Sequence, residues 1–144
     1  MEDHPPDVFL VKEALRQWRI ECDLKHVTDG DTALAFLSSE NAPKPALVIL
    51  DLSLPRLDGF TVLQHIRQQK KYKKVPVLVL TSSSRDVDRA RAIQLGASAF
   101  VTKPDSIDVY FERVGGNIAK LLRTAADEEV QAPLFLDLQW GFAY

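Results

Sequence analysis

A chain of 144 residues, 46% hydrophobic and 26% charged, has the make-up of one globular domain with a core of its own and little room for a second. Its formal net charge of −2 gives nucleic acid no electrostatic footing, and the lone cysteine, Cys22, excludes an intramolecular disulfide. No apolar run approaches the roughly 18 residues of a membrane span. The start Met1-Glu2-Asp3-His4 is unlike a signal peptide, so the expectation is a cytoplasmic protein that does not meet a membrane.

Pro6–Trp18 reads as an amphipathic helix, with Pro5-Pro6 where a helix start tolerates proline. Leu24–Val27 is a short strand candidate and Asp31–Leu37 a second amphipathic helix. Ala46–Leu50 (ALVIL) is continuous and branched, the texture of a strand buried on both faces of a parallel sheet. Asp58–Gln69 returns to helical spacing through Phe60, Leu63 and Ile66, with Val62 beside them. The run Lys70-Lys71-Tyr72-Lys73-Lys74 reads as a solvated helix end, because cations favour helix C-termini and the net charge is negative. Val75–Leu80 (VPVLVL) is another buried strand, Asp86–Leu95 an amphipathic helix stopped by Gly96, Ala99–Thr102 a strand and Ile107–Leu122 a helix. Such alternation calls for an α/β fold, a three-layer α/β/α sandwich on a central parallel sheet. The domain is placed at 1–124 and a tail at 125–144, where acidic Asp127-Glu128-Glu129 precedes Pro133–Leu138, a segment with strand character.

In open parallel sheets function gathers beyond the carboxyl ends of the strands. Asp51 follows ALVIL, Thr81 follows VPVLVL, Lys103 follows Ala99–Thr102, and Glu2 and Asp3 sit where a strand before the first helix would end. Three carboxylates within about 5 Å repel by several kcal/mol at an effective dielectric near 20, so a positive charge must sit among them. Hard oxygen ligands favour Mg²⁺, which takes one or two carboxylates and phosphate oxygens. A carboxylate can itself attack phosphorus to give an aspartyl phosphate; Lys103 would neutralise charge there and the Thr81 hydroxyl donate to a phosphoryl oxygen. Each residue alone has a plainer reading: Asp51 a turn cap before Pro55, Thr81 a strand end, Lys103 solvated surface, Phe100 core filler, Cys22 packing. The three histidines, His4, His26 and His65, are too scattered for a metal site.

Together these residues resemble the receiver domains of bacterial two-component response regulators. The resemblance covers Glu2 to about Arg123 and rests on four features in order: the acidic pair Glu2-Asp3, Asp51-Leu-Ser-Leu-Pro55 with Asp58-Gly59, Thr81 at a strand end, and Lys103-Pro104. The intervals of 30 and 22 positions between Asp51, Thr81 and Lys103 are those of receivers. The segment EDHPPDVFLVKEAL and the extended Lys70–Val75 connection look most like the single-domain regulators paired with cyanobacterial phytochromes. The resemblance implies that Asp51 accepts phosphate from a sensor histidine kinase or a histidine phosphotransfer protein. Mg²⁺ would be held by Asp3, Asp51 and the Ser53 backbone carbonyl, with Glu2 acting through water. Thr81 and Phe100 would be the switch pair, the output a contact with a downstream protein. A swing of population from about 1:99 to 99:1 needs roughly 5.5 kcal/mol, nearly reached by two charge-assisted contacts, from Thr81 and Lys103, at about 1.5–3 kcal/mol each. Ser53 and Ser83, two positions after Asp51 and Thr81, are neither amide nor carboxylate, which implies slow loss of the phosphate.

One departure stands out. Receivers begin with an apolar strand lying between strands two and three, and here only Met1 precedes Glu2. An empty place at the sheet's centre would strand two rows of backbone groups, each costing on the order of 1–3 kcal/mol if buried. Either the natural protein is longer, or the tail around Pro133–Leu138 fills or extends the sheet, in its own chain or a neighbour; the second is preferred here. A homodimer stays open. Two rivals differ in class. An aspartate-nucleophile phosphatase needs a second Asp two positions after the first as general acid, and Ser53 stands there, so no enzyme is expected. A phosphorylation-independent interaction module is the other.

Overall fold

The computed structural model describes residues 7–21, 24–25, 27, 30–39, 41, 44–52, 58–128 and 140–143. In chain order these form α1 (Asp7–Gln17), β1 (Leu24–Lys25), α2 (Gly30–Ser38), β2 (Leu47–Leu50), α3 (Gly59–Gln68), a 3₁₀ turn (Lys70–Tyr72), β3 (Val77–Thr81), α4 (Asp86–Gln94), β4 (Ala99–Thr102), α5 (Ile107–Glu128) and β5 (Trp140–Ala143). Every residue of β2 and β3 is buried. Their alternate side chains fall on opposite faces of the sheet, as the strand period of two requires. Val48, Leu50, Val77 and Val79 pack with Leu37 of α2 and Leu63 and Ile66 of α3. Leu47, Ile49, Leu78 and Leu80 pack with Val11 and Leu15 of α1 and Val114 and Ile118 of α5. The three-layer sandwich follows.

The sheet order is β1-β5-β2-β3-β4. β2, β3 and β4 run parallel, but β5 lies antiparallel to both β1 and β2. The expected central parallel sheet is thus present in β2, β3 and β4, while the place between β1 and β2 is held by β5, the last of the described strands, running the other way. A gap with an unpaired ladder on each side is satisfied by either direction, since both pair N–H with C=O on the two flanks. The expected strand segment Pro133–Leu138 lies outside the described residues; the strand that forms is Trp140–Ala143.

Helix ends follow local rules. Gly96 closes α4 at φ 108, the left-handed position a glycine tolerates. At the end of α1 the same geometry falls on Arg19, φ 57, with the Ile20 amide donating to the Leu15 carbonyl and the Arg19 amide to Arg16. That is a Schellman closure without its glycine. It delivers Trp18 onto α5, where its indole N–H donates to the Phe111 carbonyl at 3.0 Å. Gly115 is the seat: a Cβ there would lie 2.2 Å from Trp18 Cδ1, whereas one on Gly116 would lie 3.5 Å away, an ordinary contact. Both glycines weaken a helix by about 1 kcal/mol relative to alanine. Neighbouring substitutions should therefore differ in sign. Gly116→Ala is expected to raise the melting temperature by a few degrees, and Gly115→Ala to lower it as the indole loses its seat and hydrogen bond, about 1 kcal/mol either way. Thermal melts of the two variants beside the parent would check this.

The basic run forms the 3₁₀ turn and leads exposed lysines into β3. It is pinned from beneath. Tyr72 is buried and its hydroxyl donates to the Leu37 carbonyl at 3.0 Å, and burial pushes its pKa up. The Arg67 guanidinium donates to the carbonyls of Tyr72, Val75 and Gly96 at 3.0, 2.8 and 2.9 Å, and burial lowers its pKa. One side chain of α3 so fixes both the entry to β3 and the turn after α4. Helix α4 departs from expectation. Its apolar face is reduced to Ala92, its one buried residue, while Val87 and Ile93 face solvent.

Candidate functional site

The parallel strands β2, β3 and β4 end side by side, and each contributes a residue. Asp51 comes directly after β2, Thr81 is the last residue of β3, and Lys103 comes directly after β4. The backbone register sets their spacing, pairing Leu50 with Val79 and Thr81 with Thr102. Asp51 and Thr81 are buried polar residues, 7% and 0% exposed. The Lys103 ammonium reaches Asp51 Oδ2 at 2.9 Å, and the Lys103 amide donates to the Thr81 carbonyl at 2.7 Å. Three residues spread over 53 positions of sequence are thereby joined at one edge of the sheet.

The backbone that carries Asp51 is confined from the other side. Asp58 caps α3 by accepting the Phe60 amide at 2.9 Å, the usual service of an N-cap aspartate. That cap sets Gly59 against the loop. A Cβ on Gly59 would lie 2.7 Å from the Asp51 carbonyl oxygen and 2.8 Å from Leu52 Cα, so only glycine permits this approach of helix to loop.

Thr81 is anchored as well. Its hydroxyl oxygen accepts the Ser83 amide at 3.2 Å. Ser83 is a junction: its hydroxyl donates to Asp88 of α4 at 2.6 Å and accepts the Arg85 amide at 3.2 Å, while its carbonyl accepts the Thr102 hydroxyl at 2.8 Å. Phe100 pairs with Val79, which places it on the same sheet face as Thr81 and diagonal to it. It is buried, and the Arg89 guanidinium lies 5.0 Å from its ring centre.

Of the residues singled out from sequence, Asp51, Thr81, Lys103 and Phe100 are brought to this edge. Glu2, Asp3 and Ser53 lie outside the described residues. Among the described residues no group of three or more metal-binding side chains occurs. Of the candidate hard oxygen donors, the Asp51 carboxylate lies among the described residues, with its Oδ2 turned to the Lys103 ammonium. A donor set beginning with one carboxylate suits a hard divalent ion, which keeps waters and needs one or two such groups. Sequence reading missed the contribution of α4, where Arg91 lies 4.1 Å from the centre of the Phe60 ring. The signal was available: DVDRARAIQ has charge nearly all round, and a helix without an apolar face must be held by something else.

Comparison with known proteins agrees with this geometry. The response regulator receiver domain family matches residues 1–114. Response regulator Rcp1 of Synechocystis is 38% identical over 120 residues, covering 81% of this chain and 82% of that protein. The crystal structure of the Mn²⁺-bound form of Rcp1 superimposes with a TM-score of 0.74 at 37% identity, covering 86% of this chain and 92% of that one. The phosphorylated cyanobacterial phytochrome response regulator RcpA gives a TM-score of 0.75 at 34% identity, covering 86% and 91%. Among the described residues no helix is long and apolar enough to cross a membrane.

Proposed function

This chain belongs to the response regulator receiver domain family, whose members act as phosphorylation-dependent switches in two-component signalling, and on that premise we propose that Asp51 is the phosphoacceptor. The observation that carries the assignment is the 2.9 Å pairing of a buried aspartate with Lys103, at the edge where Thr81 also ends its strand. An oxygen of Asp51 attacks phosphorus in the donor, the new P–O bond forming as the donor's P–N or P–O bond breaks. Lys103 neutralises the charge that accumulates, and Thr81 donates its hydroxyl to a phosphoryl oxygen. Phe100, diagonal to Thr81, repacks as that hydroxyl moves; lacking a hydroxyl of its own, it reads the change by shape.

The metal assigned is Mg²⁺, which Asp51, Asp3 and the Ser53 carbonyl would hold, with Glu2 acting through water. When bound it supplies positive charge for the phosphoryl oxygens. That the similar protein Rcp1 has a Mn²⁺-bound form supports a divalent ion as the metal. The donor is a sensor histidine kinase or a histidine phosphotransfer protein, and the output is a contact with a downstream protein in the cytoplasm, without nucleic acid or membrane. The expected boundary at residue 124 falls inside α5, and β5 pairs with β1 and β2, so the segment 125–144 is assigned to the same domain as 1–124.

Incubation of the protein with Mg²⁺ and acetyl phosphate tests the assignment. Intact mass should rise by one phosphoryl group in the parent and not at all in Asp51→Asn. A gain in both, or in neither, would reject Asp51. The phosphate should then persist. The Ser83 hydroxyl donates its one proton to Asp88 and accepts from the Arg85 amide, so it has no proton to donate to an attacking water. After donor removal, the added mass should decay over minutes or longer; loss within seconds would contradict this.

A further inference from the structure

Helix α4 buries one residue, Ala92. Its start is held by the Ser83 hydroxyl on Asp88, and on its two flanks Arg89 lies over Phe100 of β4 and Arg91 over Phe60 of α3, 5.0 and 4.1 Å from the ring centres. Phe100 belongs to the switch already assigned. Phe60 does not, yet it is one residue from Gly59, whose Cα lies against the Asp51 carbonyl and Leu52 backbone so closely that a Cβ would overlap them. An unbroken chain of contacts therefore runs from the Asp51 backbone through Gly59 and Phe60 to Arg91.

We propose that Arg91 is a positioning residue of a second route, by which the backbone next to Asp51 sets the placement of α4 independently of Thr81 and Phe100. The proposal rests on Asp51 being the phosphoacceptor and deepens that reading. The start of α3 has no slack against the Asp51–Leu52 backbone, so an adjustment there on phosphorylation must carry Gly59 and Phe60 with it. Cation–π attraction acts only with the charge within about 6 Å of the ring and over its face. A ring that slides by an ångström or two thus changes how strongly α4 is held. Ala92 is the one buried residue of the helix, so its placement depends on such flanking contacts: Arg91 on Phe60, Arg89 on Phe100 and Asp88 on the Ser83 hydroxyl. The ring–guanidinium contact is the element that both states bias, which is what a coupling claim requires.

The test uses the whole chain with Mg²⁺ and acetyl phosphate, reading intact mass and the hydrogen exchange of amides in α4. In the parent, phosphorylation should alter α4 exchange by about fivefold, the lower end of typical coupling. Arg91→Gln, at an exposed position, should gain the same mass while its α4 response shrinks below about twofold. Arg91→Lys, which keeps a charge over the ring, should restore most of the response. An undiminished response in Arg91→Gln, or no restoration in Arg91→Lys, overturns the route. A parent that gains mass with α4 unmoved overturns the route and leaves the phosphoacceptor standing. A parent that gains no mass removes the phosphoacceptor, and the route with it.

Discussion

Gly59→Ala should cost about 2 kcal/mol of stability and slow phosphoryl uptake roughly a hundredfold. The added methyl would sit 2.7 Å from the Asp51 carbonyl oxygen and 2.8 Å from Leu52 Cα. Both neighbours are backbone, so neither can swing aside as a flexible side chain would. Overpacking of this kind costs about 1–3 kcal/mol. Alanine's better helix propensity returns at most about 1 kcal/mol, and less in the first turn of a helix. The functional loss exceeds the stability loss because relief of the overlap moves the backbone that aims the Asp51 carboxylate. Displacements near 1 Å can reduce rates by about a hundredfold. Urea denaturation and the time course of mass gain measure the two effects separately. An unchanged midpoint with unchanged uptake would show that the α3 start can back away freely.

Lys103→Ala is the second large effect, and its two consequences have different origins. In the resting protein it leaves the Asp51 carboxylate 7% exposed and without its 2.9 Å partner. Breaking a fully buried pair costs about 3–5 kcal/mol. The Lys103 side chain keeps 18% exposure at the sheet edge, where water screens part of the loss, so about 2 kcal/mol is expected. On the role proposed for Lys103, the variant also lacks one charge-assisted contact to the phosphoryl group in the reaction. At about 1.5–3 kcal/mol this slows uptake by about ten- to a hundredfold. The double variant Asp51→Asn/Lys103→Ala separates the two: replacing the carboxylate that has lost its lysine by an amide should recover most of the lost stability, with no uptake at all. Failure to recover it would mean that Lys103 stabilises through its aliphatic stem and not through Asp51.

The parts of this fold that sequence made legible are those where one short window carries the whole signal. ALVIL and VPVLVL read as strands buried on both sides, and β4 falls on Ala99–Thr102 as expected. The joint spacing of Asp51, Thr81 and Lys103 pointed to one edge because parallel strands must end together. Other features depend on partners far away in the chain. Nothing local to Arg91 announces Phe60, 31 positions earlier, and nothing local to Gly115 announces Trp18. Helix α5 continues past Leu122 to Glu128 because Arg123-Thr-Ala-Ala holds no breaker, although the shift toward acidic residues suggested a boundary. In β5 the two-residue alternation is blurred by Gly141, and its identity as a strand derives from the vacancy it fills and not from its own sequence.

That last strand has a consequence for how the molecule comes to be folded. Lys25 faces Phe142, 117 positions away, across a ladder that joins β1 to the rest of the sheet. Helix α5 must already have emerged from the ribosome before β1 and β2 can be bridged. Until then their facing edges stay open to any extended peptide nearby. Closing so long a loop is entropically slow, and pairings of high sequence separation are the ones that delay two-state folding. Assembly of the nucleus is thus left to the parallel trio β2-β3-β4 with its helices. A nascent chain paused short of β5 is expected to expose those edges to chaperones and to aggregation.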